Sequence, residues 1–498
     1  MLVIRSSAGH EIPVGHPHKL QFETQREKGD PAVSLKSLFS AKDMTLGSPA
    51  ARIMEFALPM LLGNFAQQLY NTADSIIVGK FVGDNALAAV GSAMPILNLL
   101  LALFVGVATG AGIVVSQSFG ARDREGLTKA VGNCIVLSVL ATILIMIVGP
   151  LVTMPLLTLL GTPESIIGWC AQYLNIYFLG IVGFFFYNML SGVLRGLGDS
   201  ITALVFLLVS AALNVGLDLW FVRSMGVAGV ALATVIAQGI SAVFCYIKLV
   251  RMTDIFDLSL KTMKLNPAVA GRILKIGIPS GITQAIMSTA MMAVLNLTNA
   301  MGETVIACNV IVMRVDGFAM LPNMTFGQAM SVYTGQNVGA GKFDRVHKGV
   351  KQGGLMAAAF STAITLILLF LSPTLFGFFT ETPELIELAT SMIRIMAVGY
   401  ICISVTQVLG GVMRGAGDTV TPMWISFTST ILIRVPTAYL LAYLTRSAAY
   451  PHGKPVALFG SLMFSWVMGM IISVIIFSLG KWKKKMYASH PELIEVTE

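Results

Sequence analysis

The amino-acid sequence predicts an all-α integral membrane protein, with twelve transmembrane helices in two homologous six-helix lobes. The 498 residues are 55% hydrophobic and only 12% charged, which leaves too little polar surface to cover a soluble globule. The apolar residues fall into runs long enough to span a bilayer. The second half of the chain also repeats motifs of the first half.

The predicted helices are twelve apolar runs bounded by Gly, Pro and charged residues. Each run has about 20 residues or more, the length that a helix needs to cross the hydrocarbon core. Runs of this length are too long for the roughly ten-residue strands of a membrane barrel. The runs begin near residues 53, 87, 127, 165, 200, 227, 272, 305, 348, 385, 419 and 456.

Lysine and arginine are distributed unequally between the two ends of these helices. Alternate connections, from the one after the second helix to the C-terminal segment, carry 19 of them, whereas the connections at the other end carry 4. Because basic loops stay on the cytoplasmic side, the sequence predicts that both termini are cytoplasmic. We expect a multi-pass protein of the cell (plasma) membrane.

The two halves of the chain repeat one another. The stretch VLRGLGDSIT at residues 193–202 corresponds to VMRGAGDTVT at residues 412–421, at an offset of 219. Because six helices separate the copies, both halves enter the membrane in the same direction. The division that follows is a mobile cytoplasmic N-terminal tail, an N-lobe, a cytoplasmic linker, a C-lobe and a C-terminal tail, at residues 1–48, 49–250, 251–271, 272–486 and 487–498.

Several classes of function are disfavoured. The net charge of +8 comes from basic residues between apolar spans, which indicates membrane orientation rather than nucleic-acid binding. The five cysteines lie in apolar runs without metal-binding spacing, and the G-x-x-x-x-G-K-[ST] motif is absent. We expect no enzyme, no catalytic residues, no cofactor and a monomer. His10, His16 and His18 of the tail could hold a metal, but a flexible His-containing tail is far commoner.

The first helix carries an aspartate in the sequence YNTAD, inside an apolar run. A carboxylate at membrane depth is costly to desolvate, so Asp74 is expected to bind or release a transported ion. Tyr70 precedes Asp74 by one helical turn and lies on the same face. The alternative is a buried aspartate that is satisfied by its helix neighbours.

The fifth helix carries a second acid at a similar depth. Asp218 follows Asn214 by four residues, so the two lie on one face. With Thr234 of the sixth helix and with Asp74, they could form one polar pocket, in which the two carboxyl groups would titrate as a unit. The alternative is two acids that are satisfied separately. At the repeat offset the C-lobe has no corresponding acids, so the pocket is predicted in the N-lobe.

The repeated R-G-x-G-D motif is typical of a turn between two helices. Its glycines can end one helix in a left-handed turn, and its aspartate can cap the next helix. We interpret Arg195, Asp199, Arg414 and Asp418 as parts of two cytoplasmic structural turns. The alternative is that the arginines pair with acids of neighbouring loops and lock one conformational state.

The C-lobe carries charges of its own at membrane depth. Asp316 lies on the eighth helix and Arg434 on the eleventh, and an ion pair between the two helices would satisfy both. Direct contact with a substrate is the alternative.

The seventh and eighth helices are rich in methionine. This polarizable and adaptable side chain suits a chamber that accepts many apolar shapes, although plain packing or lipid contact is the alternative for each residue. The residues assigned to a substrate chamber are Met287, Met291, Met320 and Met324.

The repeat, the twelve spans, YNTAD in the first helix and LNVGLD at residues 213–218 together resemble the multidrug and toxic compound extrusion (MATE) family, over about residues 50–485. The resemblance implies two lobes around a central cleft and alternating access. It also implies export of amphipathic, often cationic organic compounds in exchange for H⁺ or Na⁺.

The resemblance carries residue roles as well. It implies that Asp74 is the ion-coupling acid, with Tyr70, Asn214, Asp218 and Thr234 as its partners in a proton or Na⁺ site. On the seventh helix Met287 stands where some members carry an acid, which favours coupling through the N-lobe.

We therefore expect a secondary active multidrug exporter whose partners are small amphipathic organic compounds and the bilayer. The alternative is a lipid-linked precursor flippase of related architecture. Such proteins tend toward a basic, arginine-lined cleft, whereas the N-lobe here has acids at depth.

Overall fold

The computed structural model describes residues 40–259 and 261–487, and this part of the chain is almost entirely helical. Nine of its helices are long and apolar enough to cross a membrane, and eleven spans result if each of two bent helix pairs counts as one. The first helix has 33 residues but carries Asn64, Gln67 and Gln68 within its apolar run, which lowers its hydropathy. The three tail histidines and the last eleven residues, 488–498, lie outside the described residues.

The twelve predicted spans correspond to helices α1 to α12. The N-lobe contains α1 (Pro49–Phe81), α2 (Asp84–Gly120), α3 (Arg124–Leu159), α4a (Glu164–Leu179), α4b (Val182–Gly196), α5 (Ser200–Met225) and α6 (Val227–Val250). The C-lobe contains α7 (Pro267–Ala300), α8 (Glu303–Gly339), α9 (Phe343–Gly377), α10a (Pro383–Ala397), α10b (Gly399–Gly415), α11 and α12 (Val456–Ser478). A short helix, α13 (Lys481–Tyr487), follows.

Three of the spans are irregular. The segments of α4 are bent by 54° and those of α10 by 44°. Helix α11 consists of Val420–Ser426, a π-helical segment Phe427–Arg434 and Val435–Leu444. Helix α7 begins at Pro267, capped by the side chain of Asn266, so it starts before the predicted residue 272.

Buried apolar side chains form a separate core in each half, which confirms the two predicted lobes. One helix of each lobe also packs its first turns against the other lobe. Ile273 and Ile276 of α7 belong to the N-lobe core. Ile53 and Phe56 of α1 pack in a third cluster with C-lobe residues such as Tyr333. The first turns of α1 and α7 therefore link the two lobes.

The lobes approach each other closely where α2 and α8 end, at the side predicted to be cytoplasmic. A Cβ atom added to Gly120 would lie 1.9 Å from the carbonyl oxygen of Gln336, and one added to Gly339 would lie 1.9 Å from that of Gln117. Only glycine allows two backbones to come this near. We call this region, Gln117–Gly120 with Gln336–Gly339, the closed end.

Two glutamines join the lobes at the closed end. The side chain of Gln117 donates to the carbonyl oxygen of Gly415 at 2.8 Å, and that of Gln336 donates to the carbonyl oxygen of Gly196 at 3.1 Å. Each glutamine thus holds the R-G-x-G-D turn of the opposite lobe. Because the two glutamines are related by the repeat offset of 219, the closed end has approximate two-fold symmetry.

The segment before α1 is packed and differs in this respect from the predicted mobile tail. We call residues 42–47 the strap. The strap is bound by backbone and side-chain groups of both lobes, and Met44 is only 1% exposed. Its hydrogen bonds run from Lys42 N to Leu197 O (3.1 Å), from Met44 N to Gln336 Oε1 (2.8 Å), from Lys342 Nζ to Thr45 O (2.9 Å) and from Arg345 Nη1 to Gly47 O (2.8 Å).

Candidate functional site

Four of the predicted ion-coupling residues meet in one pocket of the N-lobe. Helix α1 supplies Asp74, α5 supplies Asn214 and Asp218, and α6 supplies Thr234. Asp218 is fully buried and Asn214 nearly so, whereas Asp74 is half-buried. The carboxyl groups of Asp74 and Asp218 lie within hydrogen-bonding reach of each other. The two acids therefore lie together, as their similar depths along α1 and α5 predicted.

The amide of Asn214 connects the two acids. With its nitrogen toward the carboxyl groups, it donates to Asp218 Oδ2 at 2.9 Å and to Asp74 Oδ1 at 3.3 Å. Its oxygen then accepts from the Oγ1 and backbone N of Thr234, at 3.2 and 3.1 Å. This orientation satisfies both ends of the amide. The four-residue spacing on α5 is what brings Asn214 and Asp218 to the same face.

No cationic side chain of the described residues pairs with the two acids. Within the described ranges, neither Asp74 nor Asp218 forms an ion pair, and the buried Oδ1 of Asp218 has no hydrogen-bond partner. Two adjacent negative charges in a low-dielectric site repel strongly, so the pair has to share a proton or hold a cation. Carboxylate, amide and hydroxyl oxygens are ligands that a hard cation accepts. The described residues contain no group of three His, Cys, Asp or Glu side chains that could together hold a metal ion.

One side of the pocket opens into a cavity of about 420 Å³. Asp74 lines it, and Tyr70 lies within hydrogen-bonding reach of Thr234. Tyr173 and Tyr177 of α4a line the same wall. Sequence reasoning missed these two tyrosines, although their four-residue spacing marks a common helix face. Further polar residues of the lining are Gln67, Asn71, Asn98, Gln238, Gln284 and Ser288.

The two R-G-x-G-D motifs form turns of the predicted kind. The glycine before each aspartate has a left-handed φ, +82° at Gly198 and +89° at Gly417. Asp199 accepts from the backbone N of Thr202 at 3.0 Å and caps α5. Burial raises the pKa of the Asp199 carboxyl, and its hydrogen bonds with the side chain and backbone of Thr202 oppose the rise. Asp418 accepts from Thr421 Oγ1 at 2.6 Å in the equivalent place.

The arginines of these motifs do not lock a gate through acids. Arg195 donates to Ser191 Oγ at 2.8 Å, and neither Arg195 nor Arg414 forms an ion pair among residues 40–259 and 261–487. Instead the aspartates are paired, Asp199 with Lys248 at 3.9 Å and Asp418 with Lys485 at 2.7 Å. Both arginines line a cavity of about 290 Å³ near the closed end.

The charges of the C-lobe are arranged differently from the predicted ion pair. Asp316 accepts a hydrogen bond from Tyr400 Oη at 2.6 Å. Arg434 acts on Asp316 through space, but no described acid lies within 4.0 Å of its guanidinium. Tyr400 takes the place of the arginine because the bend in α10 brings it beside α8. Sequence reasoning gave no signal for this contact.

The predicted methionine chamber is distributed over several cavities. Met291 lines a cavity of about 270 Å³, whereas Met287 and Met324 line one of about 180 Å³. Met320 is buried in the C-lobe core. Met320 and Met324 lie on either side of Pro322, and a proline bends a helix and shifts its faces.

Comparisons with known proteins agree on one family. A family model described as MatE matches residues 59–220 and again residues 279–440, once in each lobe. The chain is 29% identical over 446 residues to "Probable multidrug resistance protein YpnP" of Bacillus subtilis (strain 168), covering 89% of this chain and 98% of that protein. It is 26% identical over 438 residues to "Probable multidrug resistance protein YoeA" of the same organism, covering 84% and 95%.

Solved structures have the same fold. The structure titled "Outward-facing conformation of a multidrug resistance MATE family transporter of the MOP superfamily" superposes with a TM-score of 0.81, at 23% identity. The match covers 91% of this chain and 99% of that one. A "Crystal structure of MATE in complex with MaL6" also has a TM-score of 0.81, at 22% identity, with 90% and 98% covered.

Proposed function

Because the chain belongs to the MatE family of multidrug and toxic compound extrusion (MATE) transporters, we propose that it is a secondary antiporter. It exports amphipathic organic compounds, and H⁺ or Na⁺ moves inward through the site of Asp74 and Asp218. The observation that supports this role is the acid pair itself, which is bridged by Asn214 and reaches a cavity through Asp74. The multidrug names of the relatives support the class of cargo.

The two acids have different tasks in this scheme. Asp74 lines the cavity and meets the incoming ion, while the fully buried Asp218 holds the ion away from water. Tyr70 and Thr234 supply hydrogen bonds that stabilise the charged or occupied state. A bound ion neutralises the two carboxylates and removes their attraction for a cationic cargo. The ion and the cargo therefore compete for one site.

Helix α1 connects the proposed ion site with the closed end, so it can transmit a change at Asp74 to the contact between the lobes. Its second half carries Asp74, and its first half packs in the cluster that includes C-lobe residues. Pro59 lies between these halves and lacks the N–H that would continue the hydrogen-bond ladder. A change of charge at Asp74 can therefore bend α1 and alter how the lobes meet.

The available driving force is sufficient for export. One elementary charge that crosses 100 mV releases about 2.3 kcal/mol. One pH unit adds about 1.4 kcal/mol. The membrane potential alone would hold a roughly 50-fold concentration gradient of a neutral cargo.

Transport by the purified protein in liposomes, with pH and sodium gradients imposed separately, tests the proposal. We expect one of the two gradients to drive efflux, and we expect both Asp74→Asn and Asp218→Asn to abolish the gradient dependence. Glu303→Gln is the control, because Glu303 is an exposed acid in the first turn of α8. Gradient-driven efflux that persists in both aspartate variants would refute the coupling role.

We further propose that both termini face the cytoplasm of a plasma membrane and that the protein acts as a monomer. The distribution of Lys and Arg supports the orientation. The comparisons lend no support to the flippase alternative, since the relatives are named for multidrug resistance.

A further inference from the structure

Arg434 lies in the middle of helix α11, and within residues 40–259 and 261–487 it forms no ion pair. Its Nε is buried without a hydrogen bond in the described part of the chain. The nearby acid, Asp316, is engaged by Tyr400 and lies beyond 4.0 Å from the guanidinium. An unpaired guanidinium at this depth is costly and normally marks a binding function.

The π-helical segment of α11 determines where the guanidinium lies. Pro436 has no N–H, and its ring conflicts with the carbonyl four residues earlier, so one hydrogen bond of a regular helix is lost there. The π-helical turns of Phe427–Arg434 absorb this conflict and end at the arginine. Such π-helical segments often occur at functional sites. Here the segment places Arg434 on the wall of a cavity of about 270 Å³.

This cavity has the character of a binding chamber for an amphipathic compound. Most of its wall is apolar, and the polar groups beside the arginine are Asn98, Ser288, Thr298 and Asn309. Such a wall accepts an apolar body, while a few polar groups fix its orientation. An arginine in a desolvated wall is well suited to a carboxylate, which its planar fork binds with two hydrogen bonds.

The arginine cavity adjoins the acid cavity. Met94, Asn98 and Ser288 line both of them. Asp74 therefore lies on one side of a shared wall and Arg434 on the other. A compound with a cationic group and an anionic group could place each of them against the opposite charge. Electrostatic complementarity of this kind selects a partner more than it adds bulk affinity.

We propose that Arg434 recognises a carboxylate on the exported compound, so that the transporter prefers zwitterionic amphiphiles over purely cationic ones. This inference rests on the proposed export function and specifies its substrate class. Asp316 is not the ligand of Arg434 in this arrangement: its charge compensates the arginine through space, and the hydrogen-bond donors of the guanidinium remain available for the carboxylate.

The test compares two dyes that differ only in the carboxylate: rhodamine B, which is zwitterionic, and its methyl ester, which is cationic. Efflux is measured in phosphatidylcholine liposomes and binding in detergent by dye polarisation. We expect Arg434→Gln to weaken binding and raise KM for rhodamine B about ten- to hundred-fold and for the ester less than two-fold. Arg434→Lys keeps the charge but loses the fork, so its effect on rhodamine B should be intermediate.

Arg314→Gln is the matched control, because Arg314 is an exposed arginine of α8. This variant should change neither the binding nor the KM of either dye. Equal losses for both dyes in Arg434→Gln would overturn the proposal and indicate a conformational role with Asp316. The proposal would also be overturned if Arg434→Gln distinguished the two dyes only in liposomes that contain phosphatidylglycerol. The anion bound by Arg434 would then be a lipid headgroup. If the unaltered protein binds rhodamine B selectively but no ion gradient drives efflux, the antiport proposal fails and the arginine site stands.

Discussion

Replacing Gly120 with alanine should open the closed end. The new Cβ would lie 1.9 Å from the carbonyl oxygen of Gln336, whereas real Cβ atoms essentially never come nearer than 3.0 Å, so the two backbones must separate by about 1.1 Å. The hydrogen bonds of Gln117 and Gln336 to the opposite lobe, now 2.8 and 3.1 Å, would then exceed hydrogen-bonding distance.

The size of the effect follows from those two hydrogen bonds. Each contributes about 1 kcal/mol, so the closed arrangement loses about 2 kcal/mol relative to an open one. This corresponds to a roughly 30-fold change in the ratio of the two populations. The overpacking strain is not added, because separating the backbones relieves it.

Spin-label distance measurement across the closed end would detect this shift. Labels at Glu125→Cys on α3 and Lys348→Cys on α9 occupy exposed positions in different lobes. The five native cysteines are all buried and should not take up label. Gly271→Ala is the control, since a Cβ there would meet open space. Equal distance distributions for Gly120→Ala and Gly271→Ala would refute the reasoning.

Two further perturbations follow from the same contacts. Removing residues 1–47 deletes the strap and its hydrogen bonds to both lobes, so the same labels should report a larger open population. An unchanged distance distribution would mean that the strap does not stabilise the closed end and that α2 and α8 hold it closed by themselves. Tyr400→Phe leaves Asp316 without its hydrogen-bond donor, which should lower the free energy of unfolding by about 1 to 3 kcal/mol, measured as a lower melting temperature in detergent; an unchanged melting temperature would contradict the contact at 2.6 Å.

The features that the sequence predicted are those that local patterns encode. Hydropathy and span length gave the twelve helices, and the four-residue spacing of Asn214 and Asp218 gave one face of the ion pocket. Their meeting with Asp74 followed from comparing depths along α1 and α5. The glycine and aspartate pattern at Gly198 and Asp199 gave the turn, because only certain residues adopt or cap that backbone.

The features that it missed depend on contacts between distant segments. Tyr400 reaches Asp316 from 84 residues away across a bend in α10, and no periodic pattern marks that bend. The strap is bound largely through its backbone atoms, so its side chains give no hint of its partners. Met320 packs in the C-lobe core instead of the predicted chamber, and Pro322, two residues later, changes the faces of α8.

The closed end is symmetric and the acid pair is not, and together they limit how the proposed coupling can work. Gln117 and Gln336 are repeat-related and make matching contacts with opposite lobes. At the same offset, Asp218 corresponds to Thr437, so only the N-lobe carries the acid pair. In the proposed mechanism, an ion bound in the N-lobe therefore has to act on a closed end built from both lobes. Helix α1 contacts both lobes and carries Asp74, whereas α7, its counterpart, has Met287 and no acid in its outer half. The coupling that we propose therefore runs from the acid pair through α1 to the closed end.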